Sequence, residues 1–362
     1  MSKLQPRIIS GGASILLDSM RLGASLTVVF GHALYMWYPN LMPTRYDSGN
    51  APHAAVVVFF ALSGYVIAHT TTSNNRGPRH YAQARLSRLY SILLPALAFT
   101  ALAEFVLLRL APELAVEFTR GTSWPRYFIA GGFLNELWFQ SAAPPINGPL
   151  WSLSFEFWYY IIFGLWFYRR SGRAGLLLPI GACLIAGPKI ILMLPIWLAG
   201  VVAYRLPRPQ LRASQAWLLA VAGLLGAAIA VEYLPPFPFG IGDAPLFYAG
   251  QFLTDWVVGL FVAGALWILP TPAVPTVSTR LVNWIRLLAD LTFPIYVLHQ
   301  PALILWRAIF GQRLNDPAQL LVALTSVLAV VVVLSLLLER QRPAWTQLFK
   351  WLLRPRGLQP RK

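Results

Sequence analysis

The sequence predicts an all-α integral membrane protein, a bundle of about ten transmembrane helices with both termini in the cytoplasm. Two observations set the class. Hydrophobic residues make up 57% of the chain and charged residues only 12%, with a mean hydropathy of +0.58; soluble domains run to about 45–50% apolar and about 25% charged. Apolar stretches long enough to span a bilayer, about 20 residues each, also recur nearly end to end. A third observation orients the bundle. Of the 29 Lys and Arg, 22 fall at one set of helix ends and 7 at the other, and basic residues concentrate on the cytoplasmic side. The net charge of +16 would suggest nucleic acid in a soluble protein; here it reads as topology, and no nucleic-acid partner is expected. One cysteine, Cys183, excludes an internal disulfide and any multi-cysteine metal site. A cleavable signal peptide is not expected, because the first apolar run is long and lacks a small-residue cleavage site.

In chain order the expected spans lie near 15–37, 53–72, 90–110, 150–168, 174–187, 188–204, 215–234, 247–269, 287–309 and 318–338. Gly187-Pro188-Lys189 divides the fifth from the sixth. Segment 127–140 is too short to cross and runs into Pro144-Pro145 and Asn147-Gly148-Pro149, so it reads as re-entrant or interfacial. Counting it as a span would put Arg169, Arg170 and Arg173 outside, against the charge bias. The expected division is a cytoplasmic segment over 1–13, a transmembrane domain over 14–345 and a basic cytoplasmic tail over 346–362.

Ionisable groups within spans are costly and mark functional candidates: Asp18, Arg21, His32, Glu104, Glu156, Asp255, Asp290 and His299. From Arg21 to His32 is eleven residues, which returns to almost the same helix face and climbs about 16 Å. Asp18, three residues before Arg21, shares that face. One stripe thus carries a cation near the cytoplasmic mouth and an imidazole in the outer half of the bilayer. Counting residues from the span starts brings Glu104, Glu156 and His299 to about the depth of His32, a polar centre suited to proton transfer. Glu104 and Asp255 read better as structural partners than as catalysts. Below the centre, Arg85 and Arg88 present two guanidiniums on one helical face, a geometry suited to clamping phosphates. No two histidines sit at a ligand spacing, and no metal is expected.

Taken together, these residues resemble the membrane-bound acyltransferase family 3. Leu17-Asp18-Ser19-Met20-Arg21 followed by Ala24 and His32 is similar to that family's first helix, and Phe59-Phe60-Ala61-Leu62-Ser63-Gly64-Tyr65 to its FFxxSGY signature. Arg85-Leu86-Ser87-Arg88-Leu89-Tyr90 resembles its RxxR element, and Trp151-Ser152-Leu153-Ser154-Phe155-Glu156 with Tyr159 its WSLxxE element. Tyr296-Val297-Leu298-His299-Gln300-Pro301 and the Glu339–Pro343 close complete the series, in the family's order over roughly 14–345. Two positions depart from the pattern: Ser91 stands where a proline is usual, and Thr292-Phe293 where a serine/tyrosine pair is usual.

The resemblance implies a bacterial inner-membrane, multi-pass O-acyltransferase without a fused SGNH domain. It would move an acyl group, most often acetyl, from cytoplasmic acyl-CoA to a hydroxyl of an extracytoplasmic or lipid-linked glycan. His32, Glu156 and His299 are then the catalytic candidates. Arg21, Arg85 and Arg88 would bind CoA, and Asp18, Phe59, Phe60, Ser63, Tyr65 and Trp151 would line the path of the substrates. Acyl-CoA, the glycan acceptor and membrane lipids are the expected partners. A transporter or flippase would also suit buried charges and proline-broken helices, but no inverted repeat is visible and it would need no acyl donor. A membrane glycosyltransferase would normally carry an acidic DxD-type motif, which the sequence lacks.

Overall fold

The computed structural model describes residues 9, 11–41, 51–119, 121–270 and 279–354. Much of the expected 1–13 segment, the end of the 346–362 tail, and Lys3, Arg7, Arg45, Arg120, Arg356, Arg361 and Lys362 lie outside the described residues. Twelve α-helices follow in order among those described: α1 (Gly12–Trp37), α2 (Ala51–Ser73), α3 (Pro78–Leu110), α4 (Pro112–Val116), α5 (Ser123–Gly131), α6 (Trp151–Phe167), α7 (Leu177–Ala186), α8 (Pro188–Arg205), α9 (Ala213–Tyr233), α10 (Phe252–Ile268), α11 (Thr279–Phe310) and α12 (Pro317–Leu352). No strand occurs among the described residues.

Every expected span coincides with a helix. Seven of them, α1, α2, α3, α8, α9, α11 and α12, are long and apolar enough to cross a membrane. The other three expected crossings rest on the shorter α6, α7 and α10, each preceded by a 3-10 turn at Gly148–Leu150, Arg173–Leu176 and Phe247–Ala249. The α7/α8 break falls where the sequence places it. Gly187 there adopts φ +81°, and a Cβ on it would lie 2.6 Å from the Trp138 Cα, so glycine is required on both counts.

Three helices run past the hydropathy boundaries. α3 starts at Pro78 rather than near 90, with proline in its first turn, where the missing N–H has no helical partner to lose. α12 continues through Pro343 to Leu352, so its 36 residues extend about 54 Å, well beyond a hydrocarbon core of about 30 Å. The two extensions pack together: Gln83 Nε2 donates to the Thr346 carbonyl at 3.1 Å, and the Tyr90 and Phe349 rings lie 5.5 Å apart. α11 likewise begins eight residues before its expected span. Hydropathy marks only the apolar part of a helix, so these polar turns escape it.

The short α5, nine residues long, rises only about 14 Å and gives way to irregular chain. Residues 142–150 are all buried, as irregular backbone within a membrane protein must be where lipid would otherwise meet it. Lys189 and Glu136 fasten the earlier part of this segment to α8 by an ion pair of 2.6 Å, both side chains fully buried. Lys189 also donates to the Gln140 carbonyl at 2.5 Å.

α2 is the central helix, packed against α1, α8 and α10, while α11 joins α1, α3 and α12. α2 and α8 meet backbone to backbone: a Cβ on Gly64 would lie 1.9 Å from the Trp197 carbonyl oxygen, and one on Gly200 2.0 Å from that of Ala61. Small residues permit such approach where lipid offers no hydrophobic drive for helix association. Gly64→Ala should therefore destabilise the purified protein by about 2 kcal/mol, within the usual range for overpacking. Gly264→Ala, at a position with nothing within 4 Å, is the control. Thermal unfolding in detergent distinguishes the two, and equal midpoints would refute the close contact.

Candidate active site

A cavity opens among α1, α2, α3, α6 and α11. Arg21, Arg85 and Arg88 line it, together with Phe59, Phe60, Ser63, Ser152, Glu156, Tyr160, Phe293 and Tyr296. α1 supplies Arg21, and the N-terminal extension of α3 supplies Arg85 and Arg88 one turn apart. Neither Arg85 nor Arg88 has a carboxylate ion pair among the described residues; both guanidiniums lie over rings. Arg85 sits 5.8 Å from the Tyr81 and Tyr160 ring centres and Arg88 5.9 Å from that of Phe293. Arg85 donates to Thr70 Oγ1 at 3.2 Å, yet its Nε is buried and unpartnered. Arg21 lies 3.7 Å from Asp18, which does not reach the cavity wall. Three guanidiniums lining one cavity, with a buried, unpartnered Nε on Arg85, fit an anionic ligand.

Further in, Glu156 Oε1 accepts from Ser63 Oγ at 2.8 Å and from the Tyr160 hydroxyl. Trp197 Nε1 in turn donates to Ser63 Oγ at 3.2 Å. The Ser63-Gly64 pair thus divides its work: the serine enters a polar network and the glycine lets α8 approach. Tyr160 is a site residue that sequence reasoning missed. Its signal was its place four residues after Glu156, on the same helical face. Tyr159, the aromatic picked out by the resemblance, points instead into the core against Phe60, its ring 5.3 Å away.

Beyond the cavity's inner wall stand the two histidines. His32 Nδ1 and His299 Nε2 are 2.8 Å apart, with rings stacked at 5.0 Å. His299 Nδ1 lies 2.6 Å from the Tyr296 carbonyl oxygen, and it is the Tyr296 side chain that forms the cavity wall. His299 is wholly buried, whereas His32 is only half-buried. Along α1, Arg21 lines the cavity and His32, eleven residues on, meets His299 beyond it.

Other candidates lie elsewhere. Tyr65 is buried against the Tyr204 ring at 5.5 Å, between α2 and α8 and away from the cavity. Trp151 also stays outside the lining, stacked on Tyr248 at 4.5 Å. Glu104 turns to α5, accepting from Ser123 at 2.6 Å and Tyr127 at 2.5 Å, so it does not share a centre with the histidines. Asp255 Oδ2 lies 2.8 Å from His53 Nε2, and its Oδ1 accepts from Gln251 at 2.9 Å. This histidine–carboxylate couple spans two helices far apart in sequence, and nothing local in either signalled it. Among the described residues no group of three His, Cys, Asp or Glu could hold a metal ion.

The histidine level is fixed by the buried segment before α6. Pro301 has no N–H for the Val297 carbonyl four residues earlier. Asn147 Nδ2 donates to that carbonyl at 3.0 Å and to Thr100 Oγ1 of α3 at 2.9 Å. Gly148 N donates to Gln300 Oε1 at 2.7 Å, and the Tyr296 hydroxyl donates to the Pro149 carbonyl at 3.0 Å.

Such a fold defines a multi-pass membrane protein with an internal, cation-lined cavity. The acyltransferase domain of the acyltransferase-3 family matches residues 15–340. The chain belongs to that family and is a membrane acyltransferase. No curated protein and no solved structure matches it.

Asn147→Leu should lower the unfolding free energy by about 1–3 kcal/mol, the usual penalty for leaving a buried acceptor unpaired. A melting temperature equal to that of the unaltered protein would count against this clasp.

Proposed function

We propose that the protein is a transmembrane O-acyltransferase, resident in a bacterial cytoplasmic membrane, that takes an acyl group from cytoplasmic acyl-CoA. Acetyl is the favoured acyl group, and a hydroxyl of an extracytoplasmic or lipid-linked glycan is the acceptor. The observation that carries the reading is the continuity of one cavity from Arg21, Arg85 and Arg88 to the Ser152–Tyr296 wall beside His32 and His299. The phosphates of CoA would engage the arginines by charge-assisted hydrogen bonds. The apolar walls at Phe59 and Phe60 would hold the pantetheine arm, with the Ser63–Glu156–Tyr160 network offering hydrogen bonds to its amides. Asp18 would act through Arg21. Tyr65 and Trp151, being off the cavity wall, would support the helices that form it rather than touch substrate.

In the transfer step His32 takes the proton of the acceptor hydroxyl as that oxygen attacks the thioester carbon. The C–S bond breaks, and the departing CoA thiolate takes the proton back from His32, so the products are the ester and the CoA thiol. General-base assistance of this kind is worth about 10²–10⁴-fold.

Alkali-releasable acetate on the envelope glycans of the native host tests the reaction. Acetate should be lost on deletion of the gene and restored by the intact protein but not by His32→Ala at matched membrane levels. Acetate unchanged across all strains would overturn the assignment of acetyl and glycan. With purified protein, Arg85→Ala and Arg88→Ala should each raise the KM for acetyl-CoA about tenfold or more, as loss of a charged hydrogen bond implies. The KM for de-O-acetylated envelope glycan should stay within about twofold; equal effects on both would sink the clamp.

A further inference from the structure

We infer that His299 is a positioning residue that holds His32 in one tautomer and shares its transient charge, rather than a second acid or base. The inference rests on the proposed acyl transfer at His32 and assigns the chemistry within the pair.

A carbonyl oxygen can only accept a hydrogen bond. The Tyr296 carbonyl at 2.6 Å from His299 Nδ1 therefore fixes the proton of His299 on Nδ1. In the neutral ring Nε2 then carries the lone pair. That lone pair faces His32 Nδ1 at 2.8 Å, so His32 must present Nδ1–H to it. The consequence is set two bonds away from its cause: the basic nitrogen of His32 is Nε2. Burial agrees with this order. His299 is 0% exposed and has no route to an acceptor hydroxyl, while His32 is half-buried.

The arrangement is fixed from behind. Pro301 deprives Val297 of its helical donor, and Asn147 fills the gap. Gly148 and Pro149 hold Gln300 and Tyr296 through their own hydrogen bonds. The turn that bears both the Tyr296 carbonyl and the His299 ring is thus clasped from residues 147–149 as well as by its own helix. When His32 Nε2 accepts the hydroxyl proton, its Nδ1–H becomes a donor on a cation, and the bond to His299 Nε2 becomes charge-assisted. It strengthens only as the charge develops, which is the condition for accelerating the chemical step rather than binding.

Two readouts test this on the full-length protein in nanodiscs. In histidine-¹⁵N-labelled wild type, with His32 assigned by its absence in His32→Ala, Nδ1 of His32 should be protonated and Nε2 not. This measurement requires no turnover, so it stands even if the acetyl or glycan assignment fails. His299→Gln places an amide acceptor where Nε2 was and should retain the Nδ1–H tautomer. His299→Leu should lose that preference. In acetyl-CoA turnover with de-O-acetylated envelope glycan, His299→Leu should lower kcat about 10–100-fold, the range orienting partners of histidine are worth. The KM for acetyl-CoA should stay within about twofold, and His299→Gln should recover most of the loss. A glutamine variant as inactive as the leucine variant, with the leucine variant folded by its thermal midpoint, would make His299 a proton-transfer group and overturn the proposal. So would a wild-type His32 protonated on Nε2.

Discussion

Pro301 leaves the Val297 carbonyl without its helical donor, and the interior of the protein is organised by how that deficit is filled. No water is at hand in hydrocarbon to fill it. Asn147 does so while also reaching Thr100, and one amide therefore joins α3 and α11 to the start of α6. Gly148 and Pro149 add bonds to Gln300 and Tyr296. The inner wall of the cavity, Ser152 against Tyr296 with hydroxyls 2.9 Å apart, is a direct product of this docking, and so is the height of His299. A helix without the proline would offer Asn147 no free carbonyl at Val297, leaving Gln300 and Tyr296 as the partners of this segment on α11.

The charges inside the bundle fall into two groups. Glu136 meets Lys189, Asp255 meets His53 and Gln251, and Glu104 meets Ser123 and Tyr127. These are closed pairings between neighbouring elements, and they tie the structure together. Arg85 and Arg88 are different, because they rest on aromatic faces and not on carboxylates. A cation over a ring is held in place at a gain of about 0.5–2 kcal/mol, yet its N–H edge remains available for a ligand anion. Two of the three arginines on the cavity are thus positioned without being neutralised.

Much of this was legible in one dimension because a polar residue inside an apolar run is conspicuous and expensive. Arg21, His32, Glu156 and His299 stand out that way, and the helical period places Arg21 and His32 on one face. Arg85 and Arg88 were visible by spacing, although hydropathy started the apolar span near 90, beyond them, while the helix itself begins at Pro78. Tyr160 hid beside Tyr159, since two adjacent tyrosines in an aromatic-rich helix differ only in the direction they point. His53 and Asp255 are separated by 202 positions, and neither stretch says that α2 and α10 touch.

The sequence by itself determined that the chain is a helical membrane protein of the acyltransferase-3 family, and which polar side chains lie within its helices. Apolar length, charge asymmetry and motif order are local properties, so they survive without knowledge of packing. Only the tertiary structure decided which of those polar groups meet. It paired His32 with His299 and withheld Glu104 from them, gave Glu156 to Ser63 and Tyr160, and left Tyr65 and Trp151 off the cavity wall. Depth along a helix axis can be counted from residues, but the direction a side chain faces relative to other helices is set by helix packing. In this chain that packing depends on the backbone contact of Gly64 with Trp197 and on the donor that Pro301 lacks.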